Sequence, residues 1–307
     1  MHPFSLLATG LVATFSIAFS TTAVSAEAIA SSKPSVASKT FSIDRSSSPP
    51  QHAQFNWELH SDLTSRRPVP VSGAQLYYQR VAAANAGFIH TRLPRYSFRA
   101  VWVDAIETPT HEQWQELLAT EATVMADAQE DRPLSIVLGD SLSLWMPASE
   151  FSDDRLWLNQ GISGDTTGGI LSRLRVLDAT NPDRIYLMAG INDIKIGLSD
   201  EEILANYHQI LEYLRQTHPY AETIVQSILP TRRENLPNDR IRELNRQLAE
   251  IAAREGATFV DLQVYFTDAS GDLQPNLTTD GLHLSPQGYQ VWQWVIEQIE
   301  LGIAMGV

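Results

Sequence analysis

The chain has 307 residues, 43% of them apolar and 19% charged, a globular balance that excludes a wholly disordered or collagen-like protein. Its net charge of −14 lies almost entirely beyond residue 75, and a body this acidic offers no electrostatic footprint for nucleic acid or for anionic lipid. There is no cysteine, which excludes disulfides, thiolate metal sites, iron–sulfur clusters and a cysteine nucleophile.

Residues 4–19 form an apolar run diluted by Ser, Thr and Gly, followed by the small-residue pattern Ala23-Val24-Ser25-Ala26. This reads as a secretory signal peptide (residues 1–26) cut after Ala26, with a secreted or periplasmic destination and no stable membrane span after cleavage. The alternative is an uncleaved N-terminal anchor, against which the run is short and polar for a span of about 20 residues. Residues 27–71 are rich in Ser and Pro and read as a disordered linker, because they cannot bury enough surface to offset ordering entropy. Residues 72–109 form an N-terminal extension. Leu76, Tyr77, Val81 and Ala84 predict a short helix within 72–90, and Val101-Trp102-Val103 has the pattern of a strand.

The signals become regular over residues 110–307. Thr110 and Gln113 make a capping box, with Trp114, Leu117, Leu118 and Val124 behind it at helical spacing. Short apolar runs at 134–138, 156–158, 185–188, 223–229 and 258–260 read as strands. Between them lie helical patterns. One has apolar positions 203, 204, 207, 210, 211 and 214 behind a Ser199/Glu202 capping box; another has 241, 244, 248, 251 and 252 and stops at Gly256. The last opens at Ser285-Pro286 and carries Tyr289, Trp292 and Ile296. Trp292 and Trp294 are two apart, so one of them must be partly exposed. Strands alternating with helices predict an α/β fold with a parallel sheet covered on both faces. Function is then expected at the carboxyl ends of the strands.

Four junctions there hold chemistry-bearing residues: Gly139-Asp140-Ser141-Leu142, the stretch Asn159 to Thr167, Gly190-Ile191-Asn192-Asp193, and Asp280-Gly281-Leu282-His283. Singly, each has a structural explanation. Ser141 would be an N-cap, Gly161 and Gly164 would supply positive φ, and Asn192 and Asp280/His283 would make loop hydrogen bonds. Together they supply what acyl transfer requires: a nucleophile, a base, an orienter of that base, and donors for an oxyanion. Ser141 offers the hydroxyl, His283 the base and Asp280 a carboxylate within one turn of it. Asn192 offers a side-chain amide and Gly164 an unobstructed backbone N–H. Trp145, Met146, Ile191 and Leu282 are the candidate substrate-lining residues, with core packing the competing role for Trp145 and Met146.

The GDSL around Ser141, the GISGDTT block, the GIND of Asn192 and the DGLH of Asp280 and His283 resemble the SGNH (GDSL-type) hydrolase family over about 134–299. The NQGISGDTTGG stretch is similar to the platelet-activating-factor acetylhydrolase catalytic subunits and to the bacterial lysophospholipase/thioesterase branch. The resemblance implies a three-layer αβα, flavodoxin-like SGNH fold with about five parallel strands. It implies a Ser141–His283–Asp280 triad, an oxyanion hole of the Ser141 and Gly164 N–H groups with the Asn192 amide, and no metal or cofactor. The expected partner is a small-molecule, glycan or lipid ester: an O-acyl group on a polysaccharide, a lysophospholipid or a short-chain lipid ester. The rival from another class is a catalytically silent surface or binding module on the same fold. A nucleophile elbow G-x-S-x-G, a phosphate-loop Lys and a zinc-spaced His pair are all missing from the sequence.

Overall fold

The computed structural model describes residues 68–147 and 154–304. The signal-peptide and linker readings therefore fall outside the described residues, apart from the linker's last four positions. Five strands, β1 (Leu134–Gly139), β2 (Leu156–Gly161), β3 (Arg184–Met188), β4 (Glu222–Gln226) and β5 (Thr258–Val260), pair in parallel in the order β2-β1-β3-β4-β5. The register aligns Gly139 with both Gly161 and Met188, so the carboxyl ends of the three strands on the β2 side finish together. The run expected to continue to residue 229 leaves the sheet at Gln226.

Alternate strand residues feed two cores, as the period of 2 requires. Ile136, Leu138, Leu158, Leu187 and Val225 point to one face. There they meet α3 (His111–Gln129), α5 (Thr167–Arg173), α7 (Asp200–Thr217) and α8 (Asn238–Glu255). Val137, Trp157, Tyr186 and Ile224 point to the other face, against α9 (Gln263–Phe266) and α10 (Pro286–Ala304). Both expected capping boxes form, at Thr110/Gln113 and at Ser199/Glu202, and Gly256 ends α8 at φ 77°. In α10, Trp292 is fully buried and Trp294 half-buried. Val124 lies only half-buried on α3, whose inner face is Trp114, Leu117, Leu118, Glu121, Ala122 and Met125.

The N-terminal extension packs on this body. Its first helix, α1 (Gly73–Asn85), lies against α3 through Leu76, Ala84, Trp114, Leu117 and Leu118. Buried Arg80 pairs with Glu121 of α3 through Nε and Oε1 at 2.9 Å, and donates to the Asn159 carbonyl at 2.8 Å. Thr91 donates its hydroxyl to the Trp157 carbonyl. Both carbonyls belong to β2, the outer strand, on the side away from β1. The extension thus occupies acceptors that an uncovered sheet edge would offer to another chain. The strand expected at Val101-Trp102-Val103 is instead one helical turn, α2 (Arg99–Trp102). The alternation suggested a strand, but the Val101 and Val103 N–H groups close onto Phe98 and Arg99. Trp102 buries its ring and donates its indole N–H to the Ser97 carbonyl at 2.7 Å, while Val101 faces solvent.

Candidate active site

In a sheet of order 2-1-3-4-5 the chain reverses direction of travel between β1 and β3, and ligands bind in the crevice at the carboxyl ends of those two strands. Ser141 follows β1 and Asn192 follows β3. Ser141 opens the short helix α4 (Ser141–Leu144), with Asp140 as N-cap accepting the Leu142 N–H at 2.9 Å. No side chain fits at position 139: a Cβ there would lie 2.4 Å from the Met188 carbonyl and 2.3 Å from Ser143 Oγ, so glycine lets α4 turn back tightly over the sheet. Ser141 is 8% exposed.

Asn192 sits in the first turn of α6 (Ile191–Ile196), also 8% exposed. Its amide donates to the Asp165 carbonyl at 2.9 Å and faces Asp140 Oδ2 at 3.4 Å. Its neighbour Asp193 is fully buried and accepts the Thr167 N–H on both oxygens, at 3.1 and 3.0 Å, and the Thr167 hydroxyl at 2.5 Å. The GIND turn and the GDTT turn are therefore locked together. Gly164 stands at φ +81° in an exposed loop with open space where a side chain would be. The Gly190 N-cap of α6 also has positive φ.

The DGLH loop is held shut by an antiparallel bridge between Thr278 and Leu284 and by the Thr279 N–H on the His283 carbonyl at 3.0 Å. Inside it, Asp280 Oδ2 lies 2.9 Å from His283 Nδ1, and Oδ1 accepts the Leu282 and His283 N–H groups at 3.0 and 2.8 Å. A carboxylate on Nδ1 fixes the proton there and leaves Nε2 with its lone pair. Burial opposes ionisation of Asp280, but the hydrogen bonds from the His283 ring and from the two backbone N–H groups outweigh it and hold the carboxyl well below its usual range.

Ile191 and Leu282 line one small apolar pocket with Asp140, Leu142, Met188, Ile228 and Pro230, which brings the DGLH loop against the end of β1. Trp145 and Met146 line a different cleft, beneath the N-terminal extension with Leu76, His90 and Leu93. Met146 is buried in the core with Trp157 and Trp292, and Trp145 packs beside Leu144 and Trp114, so the packing role holds for both.

The fold adds charged contacts around these junctions. Asp140 is 2% exposed. Burial pushes its carboxyl up to about 7 against the Leu142 N–H bond, with Asp165 adding repulsion and His283 opposing it. Asp165 is clamped by buried Arg173 at 2.8 Å and by His111 at 3.2 Å. Arg173 also donates to the carbonyls of Gly139 and Gln160 at the ends of β1 and β2. Arg233 reaches Asp280 at 2.9 Å. Asp140 and Asp165 stand inside the GDSL and GISGDTT blocks, whereas His111, Arg173 and Arg233 are ordinary charged residues in sequence that only the fold sets beside the junctions. Among the described residues no group of three or more His, Asp or Glu could hold a metal ion, and no helix is long and apolar enough to cross a membrane.

A five-stranded parallel sheet between helical layers, with Ser141 and Asn192 following neighbouring strands, is the αβα architecture of a serine ester hydrolase. The chain belongs to the GDSL-like lipase/acylhydrolase family, whose model matches residues 135–291. It is 30% identical over 176 residues to the human platelet-activating factor acetylhydrolase IB subunit alpha1, covering 54% of this chain and 74% of that one. It is 26% identical over 160 residues to an N-acylneuraminate cytidylyltransferase of Streptococcus agalactiae, of which it covers only 36%. Among solved structures it is similar to one described as a putative platelet activating factor from Streptococcus pneumonia, at 30% identity and TM-score 0.55, covering 61% of this chain and 93% of that one. A GDSL-like lipase from Bacteroides thetaiotaomicron, at 21% identity and TM-score 0.52, shares the fold over 60% of this chain and 96% of its own.

Proposed function

We propose that the protein is an exported esterase that removes short acyl groups, acetyl foremost, through Ser141, His283 and Asp280. The observation that carries the reading is the 2.9 Å contact of His283 Nδ1 with Asp280 Oδ2, in a loop whose Leu282 shares a pocket with Asp140 beside the serine. In the reaction, His283 Nε2 takes the proton of the Ser141 hydroxyl as Oγ bonds to the ester carbon. The ester C–O bond then breaks, and the leaving alcohol takes that proton from His283. Water, deprotonated by His283, attacks the acyl-serine and releases the acid and the free hydroxyl. The Ser141 and Gly164 N–H groups and the Asn192 amide would receive the oxyanion.

The pocket beside Leu282 supports a short acyl group. Its apolar walls are Leu142, Met188, Ile191, Ile228 and Leu282, and its interior has room for at most about one water molecule. That volume suits a methyl group and excludes a long chain without movement of Leu282 or Ile228. The human relative is named an acetylhydrolase, in keeping with this. What supports this reading over the silent module is that the sequence keeps Ser141, Gly164, Asn192, Asp280 and His283. Export rests on the sequence of residues 1–26; the mass of the mature protein recovered outside the cytoplasm tests cleavage after Ala26. A series of p-nitrophenyl esters from acetate to octanoate tests the acyl reading. We expect kcat/KM to be highest for acetate and to fall steeply beyond butyrate; a maximum at octanoate would refute it.

A further inference from the structure

Asp280 makes one contact that orienting a histidine does not require. Oδ1 is occupied by the Leu282 and His283 N–H groups, while Oδ2, the oxygen that holds the imidazole, is shared with the guanidinium of Arg233 at 2.9 Å. Arg233 comes from another part of the chain, the segment between β4 and α8. That segment is tied down at several points. The Thr231 N–H donates to Asn238 Oδ1 at 2.8 Å and its hydroxyl to the Leu236 carbonyl at 3.1 Å. The Arg233 N–H donates to Thr231 Oγ1 at 3.2 Å. The Arg232 N–H donates to the Gly281 carbonyl at 2.8 Å, joining this segment directly to the DGLH loop. The Arg232 side chain is turned away, onto Asp268 at 2.7 Å and the Leu273 carbonyl at 2.8 Å.

We propose that Arg233 is a positioning residue for ester hydrolysis, which holds Asp280 Oδ2 at the imidazole. The proposal rests on the triad reading above. Two effects follow from one contact. A cation fixed on Oδ2 restricts the carboxylate to the rotamer that meets His283. The same cation shares Oδ2 with the imidazole, so removing it leaves the whole carboxylate charge to the imidazole. The charged groups facing His283 among the described residues are Asp280 on its own loop, Arg233 from the segment after β4, and Asp140 at the end of β1, whose field also reaches it. Arg233 and Asp280 are about 40% exposed, so water screens the effect and keeps it modest.

The test is the pH dependence of kcat/KM for p-nitrophenyl acetate in the full-length protein, for wild type, Arg233→Ala, Arg233→Gln and Arg233→Lys, with melting temperatures alongside. In the Ala and Gln variants the acid limb should move up by about half a pH unit. Their kcat at the optimum should fall about 2- to 5-fold with KM little changed. Arg233→Lys should return the limb most of the way, and 1 M NaCl should shrink the difference between wild type and the neutral variants. A limb unmoved in both neutral variants, or a Lys variant that behaves like Ala, overturns the proposal. If one neutral variant fails to fold, the other carries the comparison. Asp280→Ala is measured in parallel. Activity surviving that change would refute the triad itself, whereas activity lost there with the Arg233 limb unmoved refutes only the role of Arg233.

Discussion

Asp140 offers a quantitative prediction about stability. Its carboxyl lies beside Ser141 at 2% exposure, with Leu142 N–H on one oxygen and the Asn192 amide 3.4 Å from the other. Burial, partly offset by the Leu142 N–H bond, raises it from 3.8 to about 7. The folded state therefore holds this proton more tightly than the unfolded chain does. Stability from this group is greatest below about pH 4, falls as pH rises, and levels off above about pH 7, where the loss amounts to about 4 kcal/mol. Asp140→Asn removes the titration. The amide has one acceptor oxygen where the carboxylate uses two, so one of its two contacts is lost at a cost of about 1 kcal/mol. At pH 4.5 wild type has itself already lost about 1 kcal/mol, so the two proteins should be about equally stable there. At pH 8.5 the variant should be more stable by about 3 kcal/mol. Urea unfolding followed by tryptophan fluorescence across that range measures the difference, in which the other titrating groups largely cancel. A difference that stays constant from pH 4.5 to 8.5 would refute the reasoning.

Asn192→Asp should lower kcat by at least about 10²-fold, because it puts an acceptor where the oxyanion needs a donor, and should lower the melting temperature as well, because it sets a carboxylate against the Asp165 carbonyl and Asp140; a folded variant keeping most of its kcat removes Asn192 from the site. Glu121→Gln leaves the buried Arg80 cation without its partner, so unfolding should become easier by about 3–5 kcal/mol in a denaturant titration; a loss below about 1 kcal/mol would mean that the N-terminal extension contributes little to the body. Leu282→Ala should widen the acyl pocket and raise the octanoate-to-acetate ratio of kcat/KM about tenfold or more, and an unchanged ratio would move the acyl group elsewhere.

The sheet was legible in the sequence because each strand is a short apolar run that ends at a glycine or a polar turn, and both capping boxes announced their helices. Three of the junctions were legible for the same reason, since Ser141, Gly164 and Asn192 follow such runs, and the Asp280/His283 pair was legible because it stands just before the Ser285-Pro286 helix start. What stayed hidden depends on contacts between distant segments. Val101-Trp102-Val103 alternates like a strand, yet the burial of Trp102 and its bond to Ser97 favour a single helical turn. Trp145 and Met146 follow the serine in sequence, but α4 turns them into the packing beneath the extension and away from the Leu282 pocket. The Arg173–Asp165 and Arg233–Asp280 pairs span a helical turn and a loop crossing, respectively, which no local periodicity encodes.

The central claim is that the Ser141 hydroxyl is the nucleophile, made so by His283. A fluorophosphonate that phosphonylates activated serines tests it directly, with the adduct located by peptide mass spectrometry. One equivalent should attach, on the peptide containing Ser141, in wild type, with no labelling in Ser141→Ala and strongly slowed labelling in His283→Ala. A stoichiometric adduct on another serine, or labelling of Ser141→Ala at the wild-type rate, would contradict the account.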